Sequence, residues 1–532
     1  MRSKLRRFRT EPETRRMFRV IFGGKMLGIV LVFGTMIGFN MLLGGTAGAQ
    51  TEAAKHTADQ IVNPLNTVWV LVAAFLVFFM QAGFMALEAG FARSRETVNV
   101  LLECVFDTCL CGLLYWAIGF AFQFGEGNGL IGHQFFFLQN APLTYGSTGI
   151  AFLAFWLFQF AFADTCSTIT SGAMVGRTKF KGDIIYSIAV SGFIYPIFAH
   201  WVWGPGGWLG NMTVPFLNNF TNGAVFRDFA GSTVVHTVGG FIALAGAIAL
   251  GPRLGRKFKR DGGGPLPPHD LTIASLGAVI LWFGWYGFNP GSTLSALDFA
   301  GIGRVATNTT LAACAGGMVA VLWVYPRSKK WDLGMMCNGL LGGLVAITCP
   351  CYWVSPMGAV WIGAIAGVIV PLAVDFLEHR RIDDPIGAWP VHGANGIWGT
   401  LSLGLFASGG YGIPTADGVD RASLVKGVFY GGGWDQFKAQ LVGSLTCVIV
   451  VTAVALVVMY GVKAIRQLRV SKDGELEGLD LHEHGTPAYH MEFGQGMTYT
   501  TLLGAGSFVP KESGRADVDL TAQGSPAPKE QV

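Results

Sequence analysis

Two histidines, His236 and His392, stand in matching surroundings in two halves of the chain. Each follows an aspartate by eight positions, Asp228 in one half and Asp384 in the other. Each is preceded by Val and followed four positions later by glycine, Gly240 or Gly396. Each aspartate-to-histidine stretch opens a long apolar segment, so each imidazole belongs inside a hydrophobic helix. A single intramembrane His reads either as a packed polar residue or as part of a site. Two in equivalent contexts favour a site at a repeat interface. Neither has an acidic neighbour within one helical turn, so neutral imidazoles in an apolar setting are expected. A neutral imidazole donates from one nitrogen and accepts at the other. A facing pair can share one proton and present polar atoms along an oily pore. That lining suits a small, neutral, polar molecule and not a stripped cation.

Other residues could serve such a pore. Asp228 reads as an N-cap for its helix, as a fixed negative charge below an outer vestibule, or as both; Asp384 reads as the equivalent cap at the opposite face. The fourth apolar segment ends Ala199-His-Trp-Val-Trp203, and the sixth ends Trp282-Phe-Gly-Trp-Tyr-Gly-Phe288-Asn-Pro-Gly-Ser292. Aromatic rings at a membrane interface belong to an anchoring belt, the reading that suits Trp201 and Trp282. Aromatic faces with a hydroxyl at a pore mouth also make a cation–π site. Phe158-Gln-Phe-Ala-Phe162 supplies rings that either pack or narrow a pore.

The elements that must position these groups are membrane helices. The chain has 532 residues, of which 51% are hydrophobic and only 13% charged, against about 25% charged in a soluble domain. Mean hydropathy is +0.46. The nine cysteines are scattered singly and form no CxxC pattern, so neither a metal site nor a disulfide scaffold is indicated. Residues 1–25 are rich in Lys and Arg, an apolar run follows from Met26 to about Leu43, and Ala47-x-Ala49 comes next. That order describes a signal peptide over 1–49, with an uncleaved helix as the alternative. Residues 50–65 read as an extracytoplasmic segment.

Eleven spans are expected, at about 66–92, 98–124, 146–173, 183–203, 229–251, 270–288, 305–325, 334–350, 356–377, 389–407 and 437–462. The odd-numbered loops are basic, with five cations between 253 and 260 alone, whereas the even-numbered loops hold only Arg227, Arg304, Arg421 and Lys426. The positive-inside rule places the first set in the cytoplasm, the mature N-terminus outside and the C-terminus inside. The two Asp–His stretches open the fifth and tenth spans. Five spans, an odd number, separate them, so the fold expected is an all-α membrane protein with an inverted five-helix repeat plus a final helix. The membrane domain covers 66–465. Residues 466–532 form a cytoplasmic tail whose end, rich in Gly, Pro, Ser and charge, has a disordered composition.

These stretches together resemble the ammonium transporter (Amt/Rh) family, Amt branch, over about residues 66–491. Asp228 to His236, Trp282 to Ser292 and Asp383 to Gly393 carry the likeness most specifically. Met80 to Gly90, Ala199 to Trp203, Cys337 to Gly343 and the tail stretch Gly478 to Tyr489 also match. The resemblance implies a homotrimer with one pore per subunit, and a transporter rather than an enzyme, with no cofactor, metal or nucleic acid. It implies that Trp203, Ser292 and Phe158 recruit ammonium, Phe162 and Phe288 form a stacked gate, and His236 and His392 line the pore. Asp228 matches an acidic residue needed for conduction. In many prokaryotic members a PII-type signal protein docks on the cytoplasmic face. The sequence departs from the family pattern at Asp164, where a small neutral residue is usual, at Gly176-Arg177, where Glu-Arg is common, and at Cys104, where Asn is common. These bear on rate and regulation.

Three functions follow in order: an ammonium transporter of a bacterial inner membrane, an ammonium sensor that conducts little, and a haem-bearing oxidoreductase. The short tail leaves no room for a fused signalling domain, and the intramembrane histidines are too few for paired haems.

Overall fold

The computed structural model describes residues 58–489, apart from 413, 416–417 and 420–422. The expected signal peptide, residues 50–57 and the tail beyond 489 lie outside the described residues. What is described is almost entirely helical. The long elements are α1 Gln60–Phe91, α2 Ser94–Phe124, α3 Phe152–Gly172, α4 Phe180–Trp203, α5 Ser232–Leu250, α6 Leu271–Gly291 and α7 Phe299–Ser328. α8 Leu333–Thr348 and α9 Pro356–Arg380 follow, then α10, built from Trp389–Ala394 and Asn395–Phe406, and α11 Asp435–Ala464. Among the described residues, nine helices are long and apolar enough to cross a membrane; α8 is a shorter apolar helix and α10 opens with a widened turn. Two short helices, α12 Lys472–Glu477 and α13 Leu479–His484, close the described chain.

Where ends differ from the sequence reading, hydrogen bonds near those ends, several of them to distant parts of the chain, accompany the difference. α1 starts at or before Gln60, ahead of the expected 66, because its polar first turns are held in place. Buried Asn66 donates to the Thr148 carbonyl at 2.7 Å and accepts from the Ala296 amide at 2.9 Å. α7 starts at Phe299 because Asp298 accepts from the Gly301 amide at 2.9 Å, an N-cap. α3 starts at Phe152 and not 146, because Thr144–Tyr145 and Ile150–Ala151 pair as a two-stranded ribbon. α6 continues through Pro290 to Gly291, with Asn289 donating to Thr309 at 3.0 Å.

Burial grades the helices. The most apolar window of α5 is 89% enclosed and that of α3 is 83%, against 28% for α11. These two enclosed helices carry Phe158, Phe162 and His236, and other helices turn apolar faces outward. Those faces, such as Phe75, Phe78 and Phe79 on α1 and Leu276, Val279 and Phe283 on α6, are exposed, as lipid or another subunit requires.

The α5–α6 and α9–α10 connections are tied by charge. Arg253 meets Asp383 with two side-chain bonds, of 2.8 and 3.0 Å, and its amide adds a third at 3.0 Å. Arg177 donates to the Asp383 carbonyl at 2.6 Å. The tail joins the same cluster: Glu475 accepts from the Leu254 amide at 2.6 Å and from Arg469 at 2.8 Å. Burial by itself raises the Asp383 carboxyl, but the Arg253 hydrogen bonds and the Arg177 and Arg253 charges outweigh it and hold the group well below the usual aspartate range. A depressed folded value stabilises the fold fully above the unfolded value of about 3.9 and loses that contribution as pH falls through the folded value. Asp383→Ala strands a buried Arg253, and thermal unfolding in detergent should show a loss of about 3–5 kcal/mol at neutral pH. The gap between variant and parent should narrow as pH is lowered below about 4.

Candidate functional site

The site begins with two caps. Both carboxylate oxygens of Asp228 accept two backbone amides each: Gly231 and Ser232 at 2.9 and 3.0 Å, Thr233 and Val234 at 2.8 and 2.9 Å. Asp384 repeats the arrangement with Gly387, Ala388 and Trp389 at 2.9–3.0 Å. Each cap feeds a widened helical turn, Ser232–Thr237 and Trp389–Ala394, and each turn carries its histidine. In the first, the His236 amide reaches back five residues to the Gly231 carbonyl at 3.0 Å. Such turns are commonly found at functional sites.

Glycine brings the two turns together. A methyl group at Gly240 would collide with the backbone of Gly393, and one at Gly396 would collide with Thr237 and the Ser232 carbonyl. The glycine four residues after each histidine is therefore the contact surface for the other histidine's helix. The imidazoles meet as a result: Nδ1 of His236 lies 3.2 Å from Nδ1 of His392, with ring centroids 5.2 Å apart and planes at 26°. One nitrogen donates and the other accepts. Both rings are buried, and Nε2 of His236 has no partner among the described residues.

A column of rings leads away from the pair. Phe288 stacks on His236 at 5.4 Å and 26°. Phe162 stacks on Phe288 at 4.0 Å and 18°. Phe158 and Trp203 flank Phe162 at 4.7 and 6.1 Å. The Trp203 indole donates to the Asp228 carbonyl at 2.7 Å, and the Ser292 hydroxyl donates to the Phe288 carbonyl at 2.8 Å. Seven of the eight residues singled out from the sequence thus fall in one continuous line. The side chain of Asp228 does not; it is consumed by its cap, and only its carbonyl reaches the line through Trp203.

Two contributors were passed over in the sequence. Trp285 stacks on His236 at 5.2 Å and 22° and donates to Thr348 at 2.9 Å. Its position three residues before Phe288, on the same helical face, is the signal that places it there. Phe84 of α1 lies 6.5 Å from His392, and only the tertiary packing places it there.

The family model of the Ammonium Transporter Family matches residues 68–489. The chain belongs to this family, in its Amt branch. Ammonium transporter Amt2 of Archaeoglobus fulgidus is 42% identical over 451 residues, which cover 84% of this chain and 93% of that one. Ammonium transporter 1 member 3 of Solanum lycopersicum is 37% identical, covering 81% and 94%. Among solved structures, a sensor Amt protein matches with a TM-score of 0.71 at 34% identity, over 80% of this chain and all of that one. Mep2 of Saccharomyces cerevisiae matches with a TM-score of 0.67 at 28% identity, over 77% and 88%. This Amt-branch chain is accordingly a multi-pass membrane protein. At Gly176, where Glu-Arg was the family pattern expected, a side chain would run into the Glu96 carboxylate, which pairs with Arg93.

The cap geometry also sharpens the reading of Asp228. Asn caps as well as Asp where one oxygen is used. Here both oxygens accept, so Asn would set its own N–H groups against backbone donors. Asp228→Asn should therefore destabilise the folded protein by about 1–3 kcal/mol, the cost of leaving buried groups unmatched. Thermal unfolding of the purified variant checks this, and an Asn variant as stable as the parent would show that the second oxygen contributes nothing.

Proposed function

We propose that this family member is an ammonium transporter working by stepwise dehydration and deprotonation. Ammonium is gathered at the outer mouth by Trp203, Phe158 and the Ser292 hydroxyl. The stacked Phe162 and Phe288 make passage of the charged ion expensive, because an apolar constriction offers it neither water nor counter-charge. Ammonia, after shedding a proton, passes the His236–His392 pair, which exchanges hydrogen bonds with it. Potassium is similar in size and charge but has no proton to lose, so it stops at the gate. Asp228 keeps the Trp203 rim in place and adds negative potential near the recruiting site. The contact between His236 and His392 directly beneath the stacked phenylalanines carries this reading.

The proposal extends to the surroundings. The protein assembles as a homotrimer in a bacterial inner membrane, with a cleaved signal peptide over 1–49, the mature N-terminus outside and the tail inside. A PII-type signal protein is the partner expected on the cytoplasmic face. A second reading, a sensor with little conduction, has one observation in its favour: the similarity to the sensor Amt protein extends over all of that chain. Current recording on proteoliposomes given an ammonium pulse separates the two. Sustained charge or ammonia flux supports the transporter, and binding without flux supports the sensor.

Trp203→Ala and Ser292→Ala should each raise the half-saturating ammonium concentration by about 2- to 30-fold, the equivalent of one cation–π contact of about 0.5–2 kcal/mol. Unchanged half-saturation in both would remove the recruiting role. His236→Asp or His392→Glu places a carboxylate in the pore, where it pairs with a dehydrated cation and admits water. Potassium should then enter cells that lack their own uptake systems. Variants that still conduct ammonium and still exclude potassium would shift selectivity to the phenylalanine gate.

A further inference from the structure

The last long helix, α11, holds the stretch of chain that enters the first cap. Among the described residues α11 is the least enclosed of the nine long helices. Yet Gln440 on it is wholly buried. Its Oε1 accepts from the Arg227 amide at 2.9 Å. Its Nε2 donates to the Arg227 carbonyl at 2.7 Å and to the Thr400 carbonyl of α10 at 3.1 Å. A backbone N–H only donates and a carbonyl only accepts, so a single orientation of the side-chain amide serves all three. Glutamine carries donor and acceptor together at the end of one side chain; a carboxylate has no donor, and an alkyl group has neither.

Two neighbours on the same face of α11 act on the same stretch. Gln436, four residues earlier, donates to the Val225 carbonyl at 3.0 Å. Gly443, three residues later, lies so close to the Phe226 ring that a methyl group there would run into it. Residues three and four apart share a helical face. Val225, Phe226 and Arg227 are thus each held by one residue of α11. This grip leads straight to the aromatic rim. Gln440 fixes the peptide groups on either side of Arg227. The next peptide group joins Asp228 to Phe229. Its carbonyl accepts from the Trp203 indole at 2.7 Å, and its N–H donates to the Cys349 carbonyl at 3.3 Å. The Asp228 carboxylate acts on the other side, on the amides of residues 231–234. The approach to the cap is left to α11.

We propose that Gln440 is a positioning residue for the recruiting rim. By holding the backbone of Arg227 it sets the Asp228 carbonyl, and through that carbonyl the Trp203 indole, where ammonium is gathered. The inference rests on the transporter reading, and within it on recruitment at Trp203. A rim already in place gives up little freedom when a cation arrives. A rim on a loosened backbone must be ordered by the cation itself, so capture weakens while the pore beneath is unchanged.

The test measures flux against ammonium concentration in proteoliposomes holding the full-length protein, for the parent, Gln440→Leu, Trp203→Ala and the double variant. Gln440→Leu should raise the half-saturating concentration about 3- to 10-fold, inside the range expected for losing the Trp203 contact itself, with maximal flux per folded protein unchanged. The double variant should match Trp203→Ala alone, because two residues that act through one contact do not add. A merely structural Gln440 would lower the amount of active protein and leave half-saturation where it is. That result, or shifts that multiply in the double variant, overturns the role and leaves the transporter standing. Parent half-saturation in Trp203→Ala overturns recruitment at the rim and this inference with it, and a parent without flux overturns the transporter reading itself. If Gln440→Leu does not fold, Gln436→Ala decides, since it removes the hold on Val225 and leaves Gln440 in place. A smaller rise in half-saturation that vanishes in the Trp203→Ala background supports the grip, and an unmoved value overturns it.

Discussion

The site depends on how closely two helices approach. α5 and α10 touch backbone to backbone at Gly240 and Gly393, and Gly396 lies against Thr237 and Ser232. That approach sets the two imidazoles 3.2 Å apart at Nδ1. A methyl group at either contact would push the helices apart and separate the rings. The widened turns contribute as well, since each turns a histidine toward the seam while the rest of its helix keeps regular spacing. Everything above the pair, the stacked phenylalanines and the indole rim, is built on rings that lean on His236.

The aspartate caps fix where those turns begin. A helix entering an apolar region leaves its first amides unpaired, and no water is available to them there. Asp228 satisfies four amides and Asp384 three, from equivalent positions in the two stretches. The same eight-residue interval then delivers each histidine to the seam. The carbonyl of Asp228 is free of the cap and holds the Trp203 indole, which couples the rim to the start of α5. One residue thereby sets the register of a helix and the orientation of an aromatic wall.

Much of this was legible before any coordinates. The paired Asp–His intervals located the seam, and the segment limits fell close to the helices because long apolar runs are the strongest of sequence signals. What was not legible depended on partners distant in sequence. Asn66 reads as the first residue of a span until Thr148 and Ala296 are beside it, with the helix already running. Trp285 reads as one more aromatic of the Trp282-to-Ser292 stretch until His236 lies under its face. Glu103 and Asp107 stand in an apolar run, and only the packed helices show that both are buried. The equivalence of Asn and Asp as caps held only until the second carboxylate oxygen was seen to be occupied.

The buried polar groups differ among themselves in a way that chemistry makes meaningful. The histidine line is flanked by aromatic rings and presents hydrogen-bonding atoms in an apolar setting. Away from it, Asp107 and Asp164 are buried acids whose carboxylate oxygens have no hydrogen-bond partner among the described residues. A structural filler would use neither arrangement, because a buried polar group costs about 1–3 kcal/mol when left unmatched, and an apolar side chain of the same size costs nothing of the kind. Under the transporter reading, a line of hydrogen-bonding atoms among aromatic rings suits a neutral molecule better than a dehydrated cation. On that reading the stacked Phe162 and Phe288, packed on His236, are what keep an ion from meeting the imidazoles with its hydration shell intact, because two rings 4.0 Å apart leave no room for one.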